Sequence, residues 1–302
     1  MQVPAQVDYE KATSVEHALS LLARYGPEAK VLAGGHSLIP MMKLRLAQPD
    51  VLIDINGLTG LRTIERVGSE LRIGALVTHA QLLESELVSR YFAILHDAEL
   101  VIADPVVRNW GTVGGSLCQA DPSEDLSAAF AAMKGTMVIR GAVGEREVSA
   151  RAFHTGPYET VVGPAELLTE IRLQIRPGGG SAYRKVARRV GDWPVGAAGA
   201  AVWLADARGS QDARDSKNAR DRVIVDAGIG LTAVGARHFT VPEAEEFVIG
   251  RPADEQTLTR AGEIAAEHCQ PVTDQRGPAD YKRHLAKELI IRALRMAVSR
   301  AI

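Results

Sequence analysis

Two stretches carry paired glycines beside side chains able to do polar chemistry. The first is "LAGGHSLIPMMKLRL", with Gly34 and Gly35 between Ala33 and the His36–Ser37 pair. The second is "DPVVRNWGTVGGSLCQADPSEDL", in which Thr112, Val113, Gly114, Gly115 and Ser116 follow Gly111. Glycine tolerates positive φ and lets another group approach without meeting a Cβ. A glycine pair at the mouth of a helix can therefore turn backbone N–H groups toward one point, where phosphate or diphosphate is the natural guest. The hydroxyls of Thr112 and Ser116 add uncharged donors, and Asp125 supplies a carboxylate able to accept from ribose or ribityl hydroxyls. Neither turn has the G-x-G-x-x-G spacing of a Rossmann fold or the G-K-[ST] ending of a P-loop. Each turn alone also fits a tight strand-to-helix corner with no ligand. Two of them suggest a ligand with two ends, a dinucleotide held by some other fold.

The elements around these turns read as follows. "SVEHALSLLARYG" predicts a helix with Ser14 as N-cap, Gly26 as stop, and Val15, Ala18, Leu19 and Leu22 on one face. "AKVLAGG" is a strand entering the first turn. The helix from Ser37 carries Pro40 in its first turn, where a missing N–H costs little. "DVLIDI" is a buried strand, so strand, helix and strand make a βαβ unit with parallel strands. Hairpins are expected around Gly68 and Gly144. "SEDLSAAFAAMKG" is a helix with Asp121 as N-cap and Glu124 at the capping-box position. "ELLTEIRLQI" is a strand ending at "RPGGGS", read as a linker between domains. Beyond it, "SAYRKVARR", "GAAGAAVWLA", "VIVDAGIGLTAV" and "ARHFTV" predict a small antiparallel sheet. The charged "DARGSQDARDSKNARDR" (206–222) reads as a solvated, mobile hairpin tip. Two helices follow, in "DEQTLTRAGEIAAEHC" and "DYKRHLAKELIIRALRMAVSRA".

The chain has 302 residues, 46% hydrophobic, enough for a sizeable core. With 35 Lys+Arg against 37 Asp+Glu, its net charge of -2 carries no footprint for nucleic acid. The N-terminal "MQVPAQVDYEKATS" has no apolar export segment, and no run approaches the ~20 apolar residues of a membrane span, so the expected location is cytoplasmic. Cys118 and Cys269 are the two cysteines, too few for a disulfide framework or a four-thiolate cluster. Cys118 is expected to be buried as a small hydrophobe. The eight histidines form no H-x-x-x-H or H-E-x-x-H pair, so no metal site is expected.

Taken together, "LAGGHSLIPMMKLRL", "IADPVVRNWGTVGGS" and "ADPSEDL" resemble the FAD-binding medium subunits of the molybdenum hydroxylases, the xanthine dehydrogenase family, and among them the carbon monoxide dehydrogenase branch. The resemblance spans the chain, including "AYRKVARRVGDWPV" and "QRGPADYKRHLAKELIIRAL". It implies an α+β protein with a vanillyl-alcohol-oxidase-type FAD-binding domain over 1–177, made of two α/β subdomains (about 1–57 and 58–177). A C-terminal domain of small antiparallel sheet and helices would cover 178–302. It further implies flavin contacts at Ala33, Gly34, Gly35, His36 and Ser37, at Thr112, Val113, Gly114, Gly115 and Ser116, and at Asp125. Lys185 and Trp193 map beside the isoalloxazine. Trp193 stands where relatives often carry tyrosine, so stacking on the flavin and plugging a domain seam both stay open. FAD is expected to be non-covalent, although a histidine in such a turn anchors flavin covalently in some proteins of the wider fold.

The implied role is electron transfer. A large molybdopterin subunit would oxidise substrate, a small subunit with [2Fe–2S] clusters would pass electrons, and this chain's FAD would deliver them to an external acceptor such as a quinone. The assembly would be a dimer of heterotrimers, with membrane association only through partners. The chemistry belongs to the cofactor, so no acid–base residue is assigned. Alternatives are the medium subunit of a hydroxylase acting on a heterocycle or aromatic thioester, a stand-alone FAD oxidoreductase, and a non-catalytic nucleotide-binding module.

Overall fold

The computed structural model describes residues 3–206 and 222–301. The first subdomain contains β1 (Asp8–Lys11), α1 (Val15–Tyr25), β2 (Ala29–Leu32), α2 (Leu38–Lys43) and β3 (Val51–Asp54). Its three strands are parallel in the order β1-β3-β2, so the expected βαβ unit is present. Ser14 caps α1, its Oγ accepting from the His17 N–H at 3.0 Å, and Gly26 ends the helix at φ 58°. The buried face is Ala18, Leu19, Leu21 and Leu22, with Val15 only half-buried. Strand β1 has no apolar pattern to announce it. Its side chains are mostly exposed, and its place comes from backbone pairing with fully buried β3.

The second subdomain begins with the hairpin β4 (Ile64–Val67) and β5 (Glu70–Gly74), turning at Gly68 with φ +61°. Helices α3 (His79–Glu84), α4 (Glu86–Tyr91), α5 (Ala93–Glu99), α6 (Pro105–Trp110), α7 (Val113–Gln119) and α8 (Asp125–Ala132) follow. Then come β6 (Thr136–Gly141), β7 (Gly144–Ser149), α9 (Ala150–Phe153), β8 (His154–Gly156), β9 (Glu159–Thr160) and β10 (Leu167–Gln174). Five strands form one antiparallel sheet, β4-β5-β10-β6-β7. Helix α8 is buried on every side, because it lies between this core and the C-terminal sheet. Its N-cap is Glu124 and not Asp121. The Glu124 carboxylate accepts from the N–H groups of Leu126 and Ser127, whereas Asp121 accepts from the Ser123 N–H and the Tyr158 hydroxyl in the preceding loop.

The C-terminal domain holds β11 (Gly179–Ala187), β12 (Pro194–Asp206), β13 (Arg222–Thr232), α10 (Pro242–Val248), α11 (Glu255–His268) and α12 (Ala279–Arg300). The strands are antiparallel in the order β11-β12-β13. Alternate residues of β12 face opposite cores: Ala197, Ala201 and Trp203 join the second subdomain, while Ala198, Ala200, Val202 and Leu204 face the C-terminal helices. A strand covered on both faces reads as one continuous apolar run, as "GAAGAAVWLA" does.

Two expectations are corrected here. The glycines of "RPGGGS" do not make a slack linker, since Gly179 and Gly180 already belong to β11. A Cβ on Gly180 would lie 2.1 Å from the Ala297 carbonyl oxygen, so the glycine is there to let α12 approach. "ARHFTV" is not a full strand. Arg237–Phe239 is a 3₁₀ turn in which His238 and Phe239 take positive φ, leaving a single bridge between Gly230 and Thr240. The charged tip lies outside the described residues, apart from its ends Asp206 and Arg222, which pair across β12 and β13.

Candidate functional site

The first glycine turn follows β2 and is tied down by the end of β3. The Asn56 side-chain amide donates to the Ala33 carbonyl at 2.6 Å and to Asp54 Oδ1 at 2.8 Å. Although burial works against its charge, the Tyr9 hydroxyl and the Asn56 donors hold the Asp54 carboxyl below its ordinary pKa. Gly35 takes φ +73°, where an L side chain is strained. Gly34 is needed for another reason. A Cβ there would stand 2.2 Å from the Trp110 carbonyl oxygen and 2.7 Å from Gly111 Cα, so the two turns touch. Among the described residues, the backbone N–H groups of Gly34, Gly35, His36 and Ser37 donate to no protein acceptor. They form an open set of donors. The His36 ring is exposed and its Nδ1 lies 2.8 Å from the Gly34 carbonyl, tied to its own turn.

The second turn is stitched to the chain leaving β5. The Val113 N–H donates to Val77 O at 2.9 Å, the Gly114 N–H to Ala75 O at 2.8 Å, and the Gly115 N–H to Thr112 Oγ1 at 3.1 Å. The Ser116 N–H closes the helix onto Thr112 O. Every amide from Val113 to Ser116 is thus committed, contrary to the expectation of a second open cradle. What this turn can offer is the Thr112 N–H, which has no protein acceptor among the described residues, and its hydroxyls. Gly114 is required because a Cβ would press 2.7 Å from Ala75. Val113 is fully buried and packs in the core, and of the five residues of this motif it alone does not line the cavity.

The cavity between these turns has a volume of about 870 Å³, near the upper end of the roughly 300–1,000 Å³ of small-molecule sites. The first subdomain contributes Ala33 to Ser37, and the second Thr112, Gly114, Gly115, Ser116 and Asp125. The C-terminal domain contributes Lys185, Gly191, Asp192 and Trp193. Apart from Val113, the structure brings all the sequence-selected residues to one space. Cys118, expected to be buried, is exposed on the cavity side of α7, while Cys269 is buried. A half-turn of helix decides this, because α7 is covered only on the Val113–Leu117 face.

Behind the second turn lies a buried polar network. Lys185 Nζ is 2.8 Å from Asp125 Oδ2, with both side chains almost wholly buried, and it also donates to Val101 O at 3.0 Å. The Tyr183 hydroxyl donates to Asp125 Oδ1 at 2.9 Å. Burial pushes the Asp125 carboxyl up while Lys185 pulls it back. Burial also pushes Glu124 up to about 7. Sequence reasoning missed His79 and Glu99. His79 Nδ1 lies 2.9 and 3.1 Å from the Glu99 carboxylate oxygens, and its Nε2 lies 3.0 Å from Ser116 Oγ. Burial opposes charge on this ring, but Glu99, with Glu124 and Asp125 nearby, outweighs it and raises the imidazole pKa. The signal available was "VTHAQ", a helix start with a capping Thr78, which gives no reason to choose its histidine.

Trp193 is 43% exposed at the cavity wall, and its backbone N–H donates to Asp192 Oδ1 at 2.8 Å. Gly191 enters this loop at φ +77°, where a Cβ would meet the Ala103 carbonyl at 2.8 Å. Among the described residues no group of three or more metal-capable side chains occurs, and no helix is long and apolar enough to cross a membrane.

A cavity walled by three units, with open amides on one side and hydroxyls on the other, has the shape and donors to suit an elongated anionic cofactor. Comparisons make that class specific. Residues 5–173 match the FAD binding domain in molybdopterin dehydrogenase, and residues 181–297 match the CO dehydrogenase flavoprotein C-terminal domain. The carbon monoxide dehydrogenase medium chain of Afipia carboxidovorans is 35% identical over 300 residues, 99% of either chain. Subunit alpha of the 6-hydroxypseudooxynicotine dehydrogenase complex of Paenarthrobacter nicotinovorans is 34% identical over 99% of this chain and 96% of its own. The solved carbon monoxide dehydrogenase from Hydrogenophaga pseudoflava lacking the Mo-pyranopterin moiety of its cofactor superposes with a TM-score of 0.90 at 36% identity, covering 99% of this chain and 100% of that one. The chain belongs to the family of FAD-binding medium subunits of the molybdenum hydroxylases.

Proposed function

We propose that this chain is the electron-transfer subunit of a molybdenum hydroxylase, carbon monoxide dehydrogenase in the first instance, with one non-covalent FAD in the cavity. The carrying observation is the asymmetric pair of touching turns. The open amides of Gly34, Gly35, His36 and Ser37 would take the diphosphate, and Thr112 and Ser116 would donate from the opposite wall. Gly115 and Ala33 leave room beside them, while Val113 acts through the core. Asp125 retains acceptor capacity toward ligand hydroxyls beyond the bonds from Tyr183 and Lys185. Lys185 and Trp193 would border the flavin ring from the C-terminal domain. When bound, FAD supplies reversible uptake of two electrons, taken and released singly or together.

In this reading a large molybdopterin subunit and a small subunit with [2Fe–2S] clusters feed the flavin, and a quinone or other acceptor drains it. The name "medium chain" carried by the Afipia relative supports a complex with larger and smaller partners, as does the placing of the Paenarthrobacter relative within a complex. A dimer of such heterotrimers, in the cytoplasm and at the membrane only through partners, belongs to the same proposal. So does a domain boundary at 177/178, supported by family matches ending at 173 and resuming at 181. The similarity to the 6-hydroxypseudooxynicotine dehydrogenase subunit favours a second reading, a hydroxylase of heterocyclic or related aromatic substrates.

The test uses the purified full chain. Acid precipitation should leave one FAD per chain in the supernatant, and dithionite should bleach the bound flavin while carbon monoxide does not. Yellow colour on the pellet would make His36 a covalent anchor. Turnover of carbon monoxide or of a heterocycle by the lone chain would replace the subunit reading with a stand-alone oxidoreductase.

A further inference from the structure

The buried pair Glu99–His79 reaches the cavity through Ser116, and neither Glu99 nor His79 has a part in the scheme above. Both charged members are sealed, Glu99 completely and His79 at 3% exposure, and the line of contacts runs from carboxylate to imidazole to hydroxyl. Burial raises the Glu99 carboxyl while His79 and Arg108 oppose that rise; with Glu99 ionised, its carboxylate only accepts, and the His79 Nδ1 carries its proton toward it. The state of Nε2 then decides which way Ser116 faces. With Nε2 bare, the imidazole accepts the single hydroxyl proton of Ser116, and Oγ shows only lone pairs to the cavity. With Nε2 protonated, the imidazolium donates to Oγ, and the Ser116 O–H is released to donate into the cavity.

The second turn makes this choice matter. Its amides from Val113 to Ser116 are all spent within the protein, so the Thr112 N–H and the hydroxyls of Thr112 and Ser116 supply its polar contacts with a ligand. An anion seated against Ser116 therefore needs its outward-donating form. We propose that His79 is a positioning residue for the cofactor, and that FAD binding at this turn takes up one proton on its Nε2. The inference rests on the cavity holding FAD.

The charges facing the imidazole favour that state. Glu99 on α5 touches it, and Glu124 and Asp125 at the start of α8 act on it through space. Lys185 on β11 is spent on Asp125, and Arg108 on α6 acts on Glu99. The charged residues of α4, Glu86 and Arg90, are exposed, and α7 carries none. Coupling is reciprocal, so a ligand that prefers protonated His79 must also raise its pKa.

Calorimetric titration of the flavin-stripped chain with FAD, in buffers of different ionisation enthalpy, counts the protons directly. The wild type should take up a proton as the pH rises through the titration of His79, and FAD affinity should fall toward the limit of about tenfold per pH unit for one coupled proton. Ser116→Ala should bind more weakly, with neither proton uptake nor pH slope. Glu99→Gln keeps an acceptor for Nδ1–H but removes the charge, and should move the slope to lower pH. Proton-free binding by the wild type, or the same uptake in Ser116→Ala, overturns the proposal even if Glu99→Gln does not fold. Absence of any FAD binding by the wild type instead sinks the cofactor reading, and this inference with it.

Discussion

At Ala33–Ser37 four backbone amides stay open and the turn is pinned from below through Asn56. At Val113–Ser116 the amides are consumed by Val77, Ala75 and Thr112, and a hydroxyl backed by a buried imidazole faces the cavity instead. One turn would bind an anion with fixed backbone donors, whose polarity cannot change. The other would bind with a rotatable O–H whose direction depends on a proton. The glycines differ accordingly. Gly35 serves a positive φ, Gly34 and Gly114 serve close approach, and Gly115 leaves space for the Thr112 cap. Similar motifs therefore carry different physics, and substitutions should tell them apart.

The largest effect is expected from Gly34→Val. Its branched Cβ would stand 2.2 Å from the Trp110 carbonyl oxygen, far inside contact distance and against backbone. Destabilisation above about 4 kcal/mol and complete loss of flavin are expected. Gly115→Ala meets only Thr112 Oγ1, at 2.7 Å, which a rotamer change can move. It should cost about 1 kcal/mol, the worth of the cap, and retain part of the flavin. Thermal unfolding with released-flavin assay checks both, and equal losses would erase the distinction between the turns.

Acid should act on the second turn next. His154 is buried beneath α7, with Nε2 3.0 Å from Leu117 O, and burial lowers its pKa to about 4. The unfolded chain binds this proton near pH 6.5, so stability is full above that value and falls as pH drops toward 4. The loss reaches about 3 kcal/mol. Denaturant titrations of wild type and His154→Gln should converge over this window, and a parallel decline of the two would acquit His154. His79 has the opposite sign: its raised pKa gives stability that is complete below its unfolded value and fades as pH climbs through the folded one.

Trp193→Ala should have the smallest energetic effect, under about 1 kcal/mol for a half-exposed side chain. Its readout is optical. Loss of a stacking indole should brighten bound flavin and change its reoxidation rate. Unchanged fluorescence and reoxidation with lower thermal stability would make Trp193 a packing residue of the domain seam.

Much of this site was legible from residue types. Paired glycines, one pair before α2 and one in the first turn of α7, with hydroxyls beside them and a downstream carboxylate, marked positions that do line one cavity. The N-cap of α8 was not legible, because Asp121 and Glu124 are both competent acids at that spacing. Burial of Glu124 against the second core settled the matter. The "RPGGGS" glycines misled for a related reason: composition cannot say whether missing side chains serve flexibility or the approach of a helix.

The sequence by itself determined the βαβ start, the hairpins at Gly68 and Gly144, the long C-terminal helices and the two turns, since each follows from local periodicity, capping or φ preference. Tertiary structure alone decided which amides stay open, that α8 is sealed on all sides, and that Glu99, His79 and Ser116 line up. Hydrogen-bond acceptors for a turn come from residues about 35 positions away in the chain (Val77 for Val113), and burial of a charge is a property of everything packed around it. Local pattern carries no record of either.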